Sequence, residues 1–267
     1  MDRDEAIAIV QREAGRVLAL ATDGDGDGDE DGDGDGDEDR FARPVPSCPG
    51  WDFGDLVKHL GNAYNWAGTI VGERLLAPPG PGMPRRGEET SLPDWMSNRL
   101  DRLVSVLTDV PDDVPIWNFG PDSPSSAGFW RRRMMHETAI HRVDAELAAG
   151  ADVSPFEPDL AADTVSELLA ILHFSDVTDG DTSPPSSRTT ETMPLTVHLH
   201  ATDTEGAEWT LDTTARTVTR RHAKGDVAIR GTAWALARWC WGRPVEGEIE
   251  VFGDLSPAEA WRCTVVP

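Results

Sequence analysis

The sequence predicts an α+β protein in two parts, a four-helix bundle over residues 1–150 and a small α+β domain over 151–267. Three observations carry that expectation. Apolar residues in the first part recur at helical spacing in four stretches. Acidic, Pro-rich or Gly-rich segments separate those stretches. Beyond residue 150 the texture changes to short strand-like runs with few helices among them.

In chain order, residues 3–20 place Ala6, Ile9, Val10, Ala14, Val17 and Leu18 on one helical stripe. Residues 23–39 follow, in which the unit DGDGDGDE occurs twice in tandem, as Asp23–Glu30 and Asp31–Glu38. Glycine favours the unfolded chain and clustered carboxylates repel, so a disordered acidic insert is expected. The tract contains a literal calcium-loop pattern from Asp27 to Glu38, but its eighth position is Gly34, where an apolar residue is wanted. Weak, diffuse cation binding is the expectation there.

Pro46, Pro49 and Gly50 make a rigid turn, with Asp52 as N-cap and Asp55 as the capping-box acid of a helix running to about Leu76. A loop covers 77–91, a third helix Leu92–Leu107, and an irregular stretch holds Pro111, Pro115, Pro121 and Pro124. The fourth helix spans Ser126–Ala149, with Gly150 as its C-cap residue. The second part opens with a helix over Pro158–Phe174 and a polar, flexible loop at 175–193. Strands are expected at Leu195–Ala201, Glu208–Asp212, Thr217–His222, Val227–Ile229 and Ile249–Phe252, with helices at Ala233–Trp241 and Pro257–Arg262.

Charge and composition exclude several functions. The net charge is −24, and the eleven acids of residues 23–39 leave −13 on the remainder, a field that opposes nucleic-acid binding. No apolar run approaches a membrane span, and the acidic, amphipathic start is not a signal peptide. Cys48, Cys240 and Cys263 are too few and scattered for a disulfide framework or a zinc knuckle, so a reducing cytoplasm is expected; a monomer is expected as well. Ten Trp against one Tyr suggest that some indoles line a pocket while most fill core.

The fourth helix carries Glu137 and His141, whose i, i+4 spacing puts carboxylate and imidazole one turn apart on one side. His59 lies mid-helix among apolar residues and supplies a third ligand if the helices bundle. Two His and one carboxylate leave a coordination position open, as in catalytic zinc sites. Spacing alone leaves the alternative open: solvated Glu–His pairs are common, and His59 alone reads equally as a core histidine. His136 points to another face, while His198 and His200 alternate on a strand and read as structural or solvent-exposed.

The segment Val45-Pro-Ser-Cys-Pro-Gly-Trp-Asp52, followed by Asp55-Leu-Val-Lys-His59, resembles the opening of the mycothiol-dependent maleylpyruvate isomerases and their actinobacterial relatives. His136-Glu-Thr-Ala-Ile-His-Arg-Val-Asp-Ala-Glu146 is similar to their second signature. Asp226-Val-Ala-Ile-Arg-Gly231 and Trp239-Cys-Trp-Gly-Arg243 resemble their C-terminal domain. The resemblance implies a DinB-like bundle followed by a sterol-carrier-like domain. It implies that His59, Glu137 and His141 match the family's zinc ligands, with Zn²⁺ or another divalent metal as cofactor. It implies mycothiol as a low-molecular-weight thiol cosubstrate, and a small-molecule substrate anchored by an Arg of the C-terminal domain. Arg243 and Arg238 are the nearest candidates, Arg230 a third, and for each an ordinary surface cation is the alternative. Two enzymatic outcomes follow, isomerisation by thiolate addition to an activated double bond or S-transfer to an electrophile. A non-catalytic protein that binds metal and an apolar ligand is the competing class.

Overall fold

A computed structural model describes residues 2–22, 40–80, 91–120, 125–173, 195–212, 217–220 and 222–262. The acidic tract 23–39 with its calcium-loop pattern, and the loop expected at 175–193, lie outside the described residues. The chain divides into two compact units, Met1–Phe119 with Ser123–Ser154, and Pro155–Pro267 with Gly120–Asp122. The α+β class and the order of helical part before sheet part agree with expectation. No helix among the described residues is long and apolar enough to cross a membrane.

The first unit contains α1 (Arg3–Thr22), α2 (Phe53–Gly72), α3 (Leu92–Asp109) and α4 (Ala127–Ala149). Helix α2 packs on α3 and α4, and α1 on α4 and α3. The start of α2 is fixed by a reciprocal cap. Asp52 accepts the Asp55 N–H at 2.7 Å, and the Asp55 carboxylate accepts the Asp52 N–H at 3.5 Å. Helix α2 stops four residues short of Leu76, because Arg74 turns left-handed at φ 50°. Leu76 is 75% exposed, so no apolar face favours a longer helix. At Gly61 a Cβ would fall 2.1 Å from the Trp95 ring, so only glycine lets α2 and α3 approach this closely. Helix α4 ends at Gly150, left-handed at φ 67°, as the sequence suggests.

Helix α4 is polar in sequence yet buried along most of its length. Arg131, Arg133, His136, Glu137, His141, Arg142, Asp144 and Glu146 are all buried. Charges in such a place need partners, because an unpaired buried charge costs far more than packing returns. Arg131 donates to the Leu107 and Val110 carbonyls at 2.8 and 2.9 Å, so a cation caps the C-terminus of α3. Arg142 donates to Glu13 of α1 at 2.7 Å, to Glu146 at 2.5 Å and to the Ser154 carbonyl at 2.7 Å. One side of α4 is therefore an internal ion network that ties α1 to the helix; another carries Glu137 and His141.

The second unit comprises α5 (Pro158–His173), β1 (Thr196–Ala201), β2 (Glu208–Asp212), β3 (Thr217–Thr219), β4 (Val227–Gly231), α6 (Ala233–Cys240), β5 (Ile249–Phe252) and α7 (Ser256–Arg262). The third strand ends at Thr219 rather than His222. The sheet order is β3-β2-β1-β4-β5, antiparallel except for the β1–β4 pair. Alternation sorts its two faces. Val197, Leu199, Trp209, Leu211, Val227 and Ile229 are buried on the inner face, where the Trp209 indole donates to Ser166 of α5 at 3.0 Å. His198, His200, Glu208, Ala228 and Arg230 alternate with them on the outer face.

Candidate metal centre

His59 projects from the middle of α2, and Glu137 and His141 from the middle of α4. The packing of α2 on α4 brings the three together, with ligand atoms within 4.8 Å of one another. His59 Nε2 lies 2.8 Å and His141 Nε2 3.5 Å from the same carboxylate oxygen, Glu137 Oε1. The two imidazoles meet edge-on with ring centres 4.7 Å apart. Glu137 and His141 are buried, and the His59 side chain is 31% exposed.

A surrounding set of side chains holds these groups in place. The second oxygen of Glu137, Oε2, is paired with the Arg133 guanidinium, one turn earlier on α4. His141 Nδ1 lies 2.8 Å from Asp144 Oδ2, and Asp144 Oδ1 accepts the Ser47 hydroxyl at 2.5 Å. An Nδ1–H donated to Asp144 leaves the lone pair of Nε2 facing Glu137 and His59, the tautomer that ligation requires. Trp51 lies against both rings, with centroids 4.9 Å from His59 and 6.2 Å from His141. Cys48 is buried, with its thiol 3.7 Å from Asp144 Oδ2, so it supports Asp144 as well as filling space.

The protonation states follow from these contacts. Burial pushes the Glu137 carboxyl up. The Arg133 charge and the contacts with His141 and His59 outweigh it and hold the group well below the usual carboxylate range. Burial pushes His141 down, but hydrogen bonding to Asp144 and Glu137 and their charges raise it above an ordinary imidazole. Two nitrogens and an ionised carboxylate oxygen, converging from rigid helices with a second layer in place, fit a divalent ion of borderline character.

A cavity of about 360 Å³ opens beside the cluster. His59, Asn62, Glu137 and Arg133 form its polar side, and Ala63, Trp66, Phe119 and Met134 its apolar side. Trp66 stacks on Phe119 at 6.0 Å and meets Trp130 edge-on at 4.9 Å, so the wall is the exposed edge of a larger aromatic cluster.

The remaining candidates lie elsewhere. His136 is buried on α4 outside the three-ligand group. Arg243, Arg238 and Arg230 belong to the second unit. Arg243 is enclosed and donates to the Trp241 carbonyl. Arg238 donates to the Pro244 carbonyl at 2.9 Å, pairs with Glu248 and lies 4.7 Å over the Trp234 ring. Arg230 pairs with Glu250 at 3.4 Å on the open sheet face. Sequence reasoning passes over Asp144, Arg133 and Trp51. Asp144 carries a local signal, an acid three residues after a candidate ligand histidine.

Comparisons with known proteins agree with this architecture. Residues 34–146 match the family model described as the mycothiol maleylpyruvate isomerase N-terminal domain, and residues 159–260 match the MDMPI C-terminal domain. The chain is similar to a solved structure of mycothiol-dependent maleylpyruvate isomerase, at 14% identity and a TM-score of 0.54. It is similar also to a histidine-to-alanine mutant of that name, at 12% identity and a TM-score of 0.55. Each comparison covers 94% of this chain and 93% of the other, and at such identity the shared feature is the fold. No curated protein matches the sequence.

Proposed function

The chain belongs to the mycothiol maleylpyruvate isomerase family, and on that basis we propose that it is a metal- and thiol-dependent enzyme with its reacting centre at His59, Glu137 and His141. The single observation that carries this reading is the convergence of two imidazole Nε2 atoms on one oxygen of Glu137 beside a cavity. The three residues would hold one divalent ion, zinc by donor type, with a position left open toward the cavity. When bound, that ion would supply the positive charge that keeps a thiol ionised, the reactive form of sulfur.

The chain's own residues do the rest. Arg133 clamps Glu137 Oε2 so that Oε1 stays aimed at the imidazoles. Asp144 fixes the His141 ring and its tautomer. Trp66, Phe119 and Met134 keep one side of the cavity dry and offer a flat surface to the substrate. Neither described cysteine supplies the thiol. Cys48 faces Asp144, and Cys240 is buried in the second unit. A low-molecular-weight thiol, mycothiol by family, is the cosubstrate in this reading. The reaction this suits is isomerisation about an activated double bond by reversible thiol addition. Arg243 and Arg238 remain the candidates for anchoring a substrate carboxylate. Freeing Arg238 requires parting it from Glu248, a half-exposed partner, whereas Arg243 is enclosed.

One observation favours a second reading, transfer of the thiol to an electrophile. The aromatic wall of Trp66 and Phe119 suits a flat apolar body. Transfer needs the same ion and thiol without the elimination step. The test is to assay zinc content and mycothiol-dependent turnover of maleylpyruvate beside conjugation of 1-chloro-2,4-dinitrobenzene, for the native protein and Glu137→Gln. About one zinc per chain and a thiol-dependent rate, both lost in Glu137→Gln, are expected. A thiol-dependent rate that survives in the zinc-free variant would refute the assigned centre. Whichever substrate turns over faster decides between the two readings.

A further inference from the structure

On the outer face of the sheet, His198 and His200 of β1 stand two residues apart, and Glu208 of β2 is the cross-strand partner of His200. The segment after β3 brings His222 to the same place. His198 Nε2 lies 3.0 Å and His222 Nδ1 2.6 Å from one oxygen, Glu208 Oε2, and His200 Nδ1 is 4.0 Å from it. The rings of His198 and His222 meet edge-on at 4.9 Å.

We propose that His198, Glu208 and His222 form a second binding site for a divalent transition-metal cation, separate from the bundle. The donor set is again two imidazoles and one carboxylate, with all three ligand atoms within 4.8 Å. The spacing suits an ion. Donors at about 2.0–2.1 Å from a tetrahedral ion stand roughly 3.3 Å apart, so the His198–Glu208 pair needs to open by about 0.3 Å and the His222–Glu208 pair by about 0.7 Å. His222, 74% exposed, is free to make that adjustment. The same exposure argues against a purely structural role, since a pair with one solvent-exposed partner adds little to the stability of a fold. The strand ladder does not use these ring nitrogens either.

The surroundings leave room for further ligands. A cavity of about 430 Å³ borders His198 and His222, with Lys224 and Asp226 in its lining. Water or a small anion beside Lys224 would complete the coordination, and His200 is the nearest further protein donor. The preference is for zinc, cobalt or nickel over magnesium or calcium, because two of three donors are imidazoles.

The proposal does not rest on the enzymatic reading, and its test keeps the two apart. The full, tag-free chain is stripped with chelator and titrated with Co²⁺ alone, following the visible absorption and the bound equivalents. The native chain should bind two equivalents, the second more weakly. In a His59→Ala, Glu137→Gln background one equivalent should remain. Adding His222→Ala or Glu208→Gln should weaken that equivalent by at least tenfold. His222→Ala alone, an exposed change, should reduce the native chain from two equivalents to one and leave thiol-dependent turnover intact. A His59→Ala, Glu137→Gln chain that binds no equivalent overturns the proposal. So does a second equivalent that persists unchanged in both His222→Ala and Glu208→Gln.

Discussion

The bundle and the sheet each bring two imidazoles to one carboxylate oxygen, but they do so under different conditions. In the bundle, His141 and Glu137 are buried, and every remaining polar atom of that pair is engaged by Asp144 or Arg133. On the sheet, His222 is exposed and Glu208 is only partly covered. The carboxyls respond in the same direction. Glu208 is raised by its partial burial but held below its ordinary value by hydrogen bonds from His222 and His198. A ligand set is thus easily repeated within one chain, whereas a dry, preorganised site requires a second layer of residues from several elements. In the bundle that layer comes from the turn at Ser47 and Cys48 and from the turns of α4 either side of Glu137 and His141.

The largest effect is expected from the bundle ligands themselves. Glu137→Gln or His59→Ala should lower thiol-dependent turnover by roughly a thousandfold or more, because the charge that ionises the thiol is lost with the ion. Steady-state rates with matched zinc analysis check this, and a loss of rate with full zinc retained would point to a direct chemical role instead.

Next is the structural side of the same helix. Arg142→Ala leaves buried Glu13 with Arg12 alone and buried Glu146 with only the Ser154 N–H, and should destabilise the first unit by about 2–4 kcal/mol. His222→Ala on the sheet should change stability by less than about 0.5 kcal/mol. Urea denaturation of both variants measures the gap directly.

Asp144→Asn comes third. It removes the carboxylate that orients His141 and should weaken zinc binding by about 10–100-fold without unfolding the bundle. Competition against a chromophoric chelator reads this out. Equal affinities for the Asp144→Asn variant and the native protein would mean that the ring is positioned by packing against Trp51 alone.

The smallest effect is on pH dependence. His141 binds its proton more tightly than a free imidazole, because its contacts with Asp144 and Glu137 overcome burial. An incoming ion must displace that proton. Zinc affinity of the native protein should therefore rise with pH through a range above the ordinary imidazole value, and fall as pH drops through it. In Asp144→Asn that range should move to lower pH. Zinc titrations at a series of pH values check the direction.

Several of these features can be read before any coordinates. The helical stretches, the Asp52–Asp55 cap and the Gly150 terminus are local, and local chemistry is written in adjacent residues. The Glu137–His141 pairing is likewise a matter of one turn of helix. What the sequence conceals is tertiary. The polarity of α4 gives no hint that Arg142 is buried, because its partner Glu13 is 129 residues away. Arg133 reads as an ordinary helix cation until the packing of α2 on α4 shows what it holds. His198 and His200 read as structural because strand alternation places them on one face but says nothing of register. Pairing β1 with β2 supplies Glu208, and the chain after β3 supplies His222. The end of α2 is overestimated from sequence because Leu75 and Leu76 extend the apolar pattern, while the left-handed turn at Arg74, a non-glycine residue, leaves no such mark.

If His59, Glu137 and His141 hold an ion at which an external thiol is ionised, the near-ultraviolet spectrum of the cobalt-loaded full chain should report it as mycothiol is added. A sulfur-to-cobalt charge-transfer band should grow to about one thiol per chain in the native protein, persist in His222→Ala and be absent in Glu137→Gln. A fully cobalt-loaded native protein that shows no such band, or a band of equal strength in Glu137→Gln, would mean that the thiol is not ionised at these residues.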